Sequence, residues 1–275
     1  MLQETAPASF EVVCADLPDF DIRDAHQLQQ RLAEIAPHLV INAAAYTAVD
    51  AAEAQADIAE AVNATAVAGL AEYCAVNNAR LVHVSTDFVF DGSQTRPIDT
   101  HETPAPQSVY GRTKLAGEQA VTASGADARV VRTSWLYSEY GSNFVKTMLR
   151  LAQERDELSV VNDEIGSPTY TRNLVVMIWS LVAEWPAAPL LHYSDAGETS
   201  WHGFADAVFG DAVQMGLLDK YPTLHATTGA AYGAPAARPA YSVLDTSETS
   251  RLLGIKPPQW RDGLREMLIR LQQKT

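Results

Sequence analysis

The sequence predicts an α/β fold: a doubly wound parallel sheet covered by helices on both faces, with a smaller α/β region interleaved with it. Three observations predict it. Apolar, β-branched runs recur as continuous stretches instead of alternating with polar residues, which is how strands buried on both faces read. Stretches with helical spacing separate those runs. Finally, 275 residues with 47% hydrophobic content supply one large core or two modest ones.

Taken in order, "FEVVCAD" (10–16) is an apolar run ending in an acid and reads as the first strand. "DAHQLQQRLAEIA" (24–36) has helical spacing, and "LVINAAA" (39–45) is the second buried run. Residues 51–78 form one long Ala-rich helical region, followed by the strand "RLVHVST" (80–86). A helix opens in "SVYGRTKLAGE" (108–118), and "ARVVRTS" (128–134) is the next strand. Beyond it, 141–185 reads as a helix, a short strand, the "GSPT" turn and a helix returning to the sheet. "LLHYSDAGETSWHGFADAVF" is a last sheet strand followed by a helix with Ser200 as its N-cap, and "QWRDGLREMLIRLQQ" closes the chain as an amphipathic helix. Residues 1–147 are thus expected to form the sheet domain and 148–275 mainly the smaller one, with 172–195 going back to the sheet.

Twenty Lys and Arg against 34 Asp and Glu give a net charge of -14, and no Lys/Arg-rich run interrupts it, so no nucleic-acid partner is expected. The two cysteines, Cys14 and Cys74, form no C-x-x-C or Cys/His cluster. They read as buried thiols in a reducing compartment, with no disulfide framework and no zinc. No charged-then-apolar leader and no run long enough to span a bilayer is present, which gives the expectation of a cytoplasmic protein with no membrane partner.

In doubly wound sheets the chemistry gathers at the carboxyl ends of the strands. The residues there are Asp16, "AAYTAVD" (44–50), "STDFVFDG" (85–92) and "SWLYS" (134–138), rich in small and hydroxylated side chains. Tyr110 and Lys114, four apart on a helix, share a face and point into one pocket. A fixed cation beside a phenol lowers the phenol's pKa from about 10, which suits a general acid. Thr86 lies on the adjacent element, so Thr86, Tyr110 and Lys114 form the candidate catalytic set. Asp16, at a strand end, is placed to accept from an adenosine ribose hydroxyl, and with no Arg after it NADH is acceptable; the alternative is that it opens the "ADLPD" turn.

The segments "NAAAYTAVDAAE", "VSTDFVFDG", "YGRTKLAGE", "RTSWLYSEYGSNFVKTMLRLA", "VVNDEIGSPTYT" and "RPAYSVLDTS" carry a more specific message. In that order, from about residue 10 to the end, they resemble the dTDP-4-dehydrorhamnose reductase family of the extended short-chain dehydrogenase/reductase superfamily. Y-x-x-x-K is shared by the whole superfamily; the other segments are narrower. The resemblance implies a Rossmann-type sheet with an interleaved substrate domain. It also implies reduction of dTDP-4-dehydro-6-deoxy-L-mannose to dTDP-L-rhamnose with NADPH or NADH. Tyr110 would protonate the C4 oxygen, Thr86 would hydrogen-bond it, and Lys114 would hold the nicotinamide ribose and lower the Tyr110 pKa.

The resemblance further places Asp87, Trp135 and Asn143 on the substrate side, with a core role for Trp135 and a helix cap for Asn143 as the alternatives. Arg238 would meet the nucleotide diphosphate, unless it forms a surface salt bridge. Ala44, Ala45, Thr47 and Val84 would line the cofactor, and Asp21 and Ile22 its adenine end. Trp201 reads as packing, and Glu164 stands where the family usually has Gln. Mg2+ and a homodimer are family-level expectations. A reductase of another nucleotide 4-ketosugar, or a catalytically silent nucleotide-binding or regulatory relative, are the alternatives.

The family opens with a strand and a G-x-x-G-x-x-G turn that cradles the cofactor pyrophosphate. The sequence begins at what aligns with the middle of the helix after that turn, roughly 20 residues short by comparison with the Rossmann fingerprint. The expectation is a sheet lacking its central strand, from a start codon placed too late or a truncated form, and weak NAD(P)H binding by these 275 residues.

Overall fold

The computed structural model describes residues 1–274. Its main sheet has four parallel strands in spatial order β1 (Leu39–Asn42), β2 (Arg80–Thr86), β3 (Ala128–Thr133) and, from later in the chain, β5 (Leu190–His192). The register pairs Asn42 with His83, Ser85 with Arg132, and Arg132 with His192. Residues on successive positions go to opposite faces, as pleating demands. Leu81 and Val130 pack with Val67, Ala71 and Cys74 on one side; Val82 and Val131 pack with Leu174, Met177, Ile178 and Leu181 on the other. Each such fully buried aliphatic side chain contributes about 1.5–3 kcal/mol, which is why the strands are apolar on both faces.

The helices of the first face are α1 (Ala25–Ile35), α2 (Ala66–Asn77) and α3 (Val109–Ala123). Asp24 caps α1 by accepting from the His26 and Gln27 amides, and Ser108 caps α3 by accepting from Gly111. Such caps are worth about 1 kcal/mol each. The opposite face is covered by α5 (Thr171–Glu184) and α7 (Ser247–Leu253). A second core gathers α4 (Phe144–Glu154), α6 (Trp201–Gln214) and α8 (Trp260–Gln272) around a parallel pair of strands, β4 (Glu157–Val161) and β6 (Thr223–Thr227). Ser200 caps α6 through the Gly203 amide, as the sequence predicts. No helix among the described residues is long and apolar enough to cross a membrane.

Three expectations are corrected. Residues 10–16 are not a strand: they form loop, with Phe10 and Val13 exposed, and β1 pairs with β2 alone among the described residues. Without a neighbouring ladder an apolar run has nowhere to place its backbone hydrogen bonds as a strand. The segment instead lies against α5, with the Phe10 ring 5.3 Å from that of Trp179. The Ala-rich region is not one helix but Val49–Ala54, Ala56–Glu60, a π-helical turn at Ala61–Thr65, and α2. Cys14 is exposed, whereas Cys74 is buried.

Candidate active site

Thr86 ends β2 and caps the short turn Asp87–Val89 by accepting from the Phe88 amide at 3.1 Å. The Ser108 cap then starts α3 one residue before Val109, whose amide donates to the Glu53 carboxylate at 2.7 Å. These two local devices bring the strand end and the first helical turn together. The Thr86 hydroxyl donates to the Asp87 carboxylate at 3.0 Å and lies beside the Tyr110 phenol, whose ring the Phe88 ring meets edge-on at 5.5 Å. One turn on, the Lys114 ammonium donates to the Val84 carbonyl at 2.7 Å. The structure therefore joins Thr86, Tyr110, Lys114 and Val84 at the carboxyl end of β2.

Glycine makes this approach feasible. A Cβ on Gly111, between Tyr110 and Lys114, would lie 2.2 Å from the Phe88 carbonyl oxygen. One on Gly117 would lie 2.2 Å from the Asn63 carbonyl oxygen. Both contacts are with backbone, so the helix sits against the Asp87–Val89 turn and the π-helical turn only because those positions lack side chains.

The electrostatics differ from the sequence expectation in one respect. Tyr110 is not lowered by Lys114. Burial pushes its phenol up to about 12, the Thr86 hydrogen bond pulls it back, and the Asp87 carboxylate pushes it further up. Desolvation of the phenolate outweighs any help from the cation. Lys114 is 1% exposed, and burial brings it down to about 8 against the opposing pull of Glu118. Asp87 is also buried and is pushed up to about 6 by desolvation, opposed by hydrogen bonds from Ser242 and Thr86.

On the cofactor side, the Ala44 amide donates to the Asn42 side chain at 3.1 Å, and the loop that follows exposes Ala44 and Thr47, with Ala45 half-buried. Asn63, which sequence reasoning missed, fixes this loop. Fully buried, it accepts from the Tyr46 amide at 2.8 Å and donates to the Tyr46 carbonyl and the Thr113 hydroxyl. Its signal was a polar residue within an Ala-rich stretch, where the π-helical turn re-aims it. Asp16 is exposed and lines a cavity of about 430 Å³ with Cys14, Phe20 and Arg31, while its carboxylate accepts from the Leu17 amide. Asp21 is engaged by Arg23, whose hydrogen bonds hold it at about 2, and Ile22 packs against Leu28 and Leu32. The structure does not bring these three residues to the Tyr110 cluster.

On the substrate side, Trp135 has a left-handed backbone (φ 47°), which turns the chain out of β3. Its indole stacks on that of Trp201 at 3.5 Å and 4°, and a Cβ on Gly166 of "GSPT" would strike it at 2.5 Å. Asn143 is a cap: it accepts from the Lys146 amide and donates to the Ser138 and Tyr140 carbonyls, so its side chain is engaged in starting α4. Arg238 forms a bidentate pair with Asp50 at 3.1 and 2.9 Å. It lines a second cavity, of about 410 Å³, with Asp163, Glu164 and Gly229.

The residues fit a reduced nicotinamide dinucleotide at both ends. A buried ammonium keeps donors beyond the one given to Val84, the Ala44–Thr47 backbone is open, and a cavity beside Phe20 and Asp16 has room for an adenosine. A divalent ion does not fit in the same way: among the described residues no group of three or more His, Cys, Asp or Glu side chains is placed to hold one.

A family model described as the RmlD substrate binding domain matches residues 1–273. The dTDP-4-dehydrorhamnose reductase of Aggregatibacter actinomycetemcomitans is 37% identical over 263 residues, covering 94% of this chain and 90% of that one. The Salmonella typhimurium protein of the same name is 38% identical over 259 residues, with 93% and 87% covered. Among solved structures, the dTDP-4-dehydrorhamnose reductase of Bacillus anthracis in complex with NADP superposes with a TM-score of 0.91 at 40% identity, covering 98% of this chain and 94% of that one.

Proposed function

Because the chain belongs to the RmlD substrate binding domain family, that of the dTDP-4-dehydrorhamnose reductases, we propose that it reduces dTDP-4-dehydro-6-deoxy-L-mannose to dTDP-L-rhamnose with NADPH. The observation that carries this reading is the Thr86 hydroxyl beside the Tyr110 phenol at the carboxyl end of β2, with the Lys114 ammonium one turn along α3 seated on the Val84 carbonyl.

NADPH, when bound, supplies the hydride. The rest is the work of the protein's own side chains. As the C4 carbonyl gains electrons its oxygen becomes negative; Tyr110 is the donor that meets that charge, and Thr86, whose hydroxyl donates to Asp87 at 3.0 Å in the free protein, is the second once it turns to the oxygen. Tyr110, with a pKa of about 12, is fully protonated near neutrality and gives its proton to the new alkoxide, a far stronger base. The phenolate left behind is then reprotonated from solvent, and Lys114, one turn along α3, is the cation on the same helix. Lys114 and the Ala44–Thr47 backbone hold the nicotinamide ribose, Asp16 and the cavity beside Phe20 the adenosine. Trp135 offers a ring face to the sugar, Asp87 sits beneath the reacting oxygen, and Arg238 at its cavity rim is the contact for the diphosphate. We further propose that residues 1–147, together with 172–195, form the cofactor domain.

The test is loss of reduced-nicotinamide absorbance on adding the dTDP-ketosugar, with the product identified by NMR. No turnover with either NADPH or NADH would reject the assignment. The pH profile adds a second check. Lys114 is cationic below about 8, so kcat/KM, which reports the free enzyme, should hold near neutrality and fall as pH rises through about 8. Lys114→Arg should remove that limb, since a guanidinium does not titrate there; a limb that persists in this variant belongs to another group.

A further inference from the structure

Beneath α3, Ser85 of β2, Arg132 of β3 and His192 of β5 are register partners on three adjacent strands, forming a polar row across an otherwise apolar sheet. All three are buried, at 4, 3 and 0% exposure. Glu118, one turn beyond Lys114 on α3, closes the row from above. Its carboxylate accepts from the Ser85 hydroxyl at 2.5 Å and from Arg132 through two parallel bonds of 2.9 and 2.6 Å. Behind Arg132, the His192 imidazole is 3.5 Å away, fixed by its other nitrogen donating to the Ile98 carbonyl at 2.9 Å. Paired charges buried this deeply are expensive to desolvate, and an apolar pair of similar volume serves stability as well or better. The row lies one residue before Thr86 on its strand, and Glu118 lies one turn after Lys114 on its helix. The clamp thus ties together the two elements whose spacing sets the candidate catalytic groups.

We propose that Glu118 is a positioning residue for the reduction: clamped by Ser85 and Arg132, it fixes α3 against β2 so that Tyr110 meets Thr86 and Lys114 stays seated beside Val84. The proposal rests on the reductase reading. The same carboxylate acts on Lys114 and opposes the effect of burial on that amine. The other groups around Lys114 are His83 of β2, held neutral by burial and by Lys114 itself, and Asp87 and Glu53 at the Tyr110 end of the helix; Arg132 and His192 stand behind Glu118.

Three variants test it: Glu118→Gln, which keeps the shape but removes the charge; Ser85→Ala, which removes one hydroxyl; and the double change Glu118→Met with Arg132→Met, which replaces the buried pair with apolar side chains. A displacement of reacting groups by a fraction of an ångström to 1 Å costs about 10–100-fold. Glu118→Gln and the double variant should therefore lose at least about tenfold in kcat, with the KM for the nucleotide sugar little changed and the alkaline limb moved to lower pH. Ser85→Ala should show the same kcat-only pattern at smaller size. Wild-type kcat and an unmoved limb in either charge-removing variant overturn the proposal, and the double variant decides if Glu118→Gln does not fold. The Lys114 amine is also titrated directly by NMR with ε-labelled lysine. A chain that reduces no ketosugar rejects the reductase reading alone, because the amine titration still decides Glu118: a downward move in the variants supports the clamp, and none overturns it.

Discussion

Tyr110→Phe should abolish ketosugar reduction, lowering kcat by about 10²–10⁴-fold, while NADPH affinity and the fold are kept. The reasoning follows from what the substitution leaves behind. The ring stays, and with it the edge contact to Phe88 at 5.5 Å. What goes is the proton donor beside Thr86. Thr86 still offers its hydroxyl to the oxygen, so a residual rate well above background is expected. Cofactor titration by fluorescence separates the effects: unchanged binding with turnover lost is the expected pair of results, and unimpaired turnover removes Tyr110 from the chemistry.

Gly111→Ala should have the second largest effect, and its sign runs against helix propensity. In an open helix interior, alanine is better than glycine by about 1 kcal/mol. At Gly111 the added methyl would sit 2.2 Å from the Phe88 carbonyl oxygen, a backbone atom held in turn by the Thr86 cap. Either α3 or the turn must move, at about 1–3 kcal/mol for such overpacking, and the movement lies on the Thr86–Tyr110 vector. We expect a lower melting temperature and a kcat reduced by about 10²-fold, as for a 1 Å misplacement. Gly210→Ala, on α6 with nothing within 4 Å of its added carbon, is the control and should be neutral or stabilising. Equal behaviour of the two variants would show that α3 has slack at the Asp87–Val89 turn.

The sheet and the Tyr110–Lys114 pair were legible in the sequence for physical reasons. Buried parallel strands leave continuous apolar runs, and the runs at 39–45, 80–86 and 128–134 contain β1, β2 and β3. A four-residue helical spacing is local, so Tyr110 and Lys114 could be placed on one face from their numbers alone. What was not legible depends on distant partners. The run at 10–16 has strand composition but no ladder to join, and composition does not report that. An Ala-rich stretch carries no periodicity to reveal the break at Gln55 or the π-helical turn that aims Asn63 at the Tyr46 backbone. The Glu118 clamp joins residues 33 and 14 positions apart, and the clash that demands glycine at 111 is with residue 88. Nor does spacing reveal burial, which is why the phenol was expected to be acidified and is instead held protonated.

The parallel indoles of Trp135 and Trp201 give the protein an intrinsic optical reporter. Chromophores this close, with planes this nearly parallel, share their excited states, so the pair should contribute an exciton signal to the ultraviolet circular dichroism and quench part of the tryptophan emission. A sugar that slides its ring against Trp135 without parting the two preserves the couplet; one that wedges them apart erases it. Ligand arrival can then be followed in solution without a label, and separately from turnover.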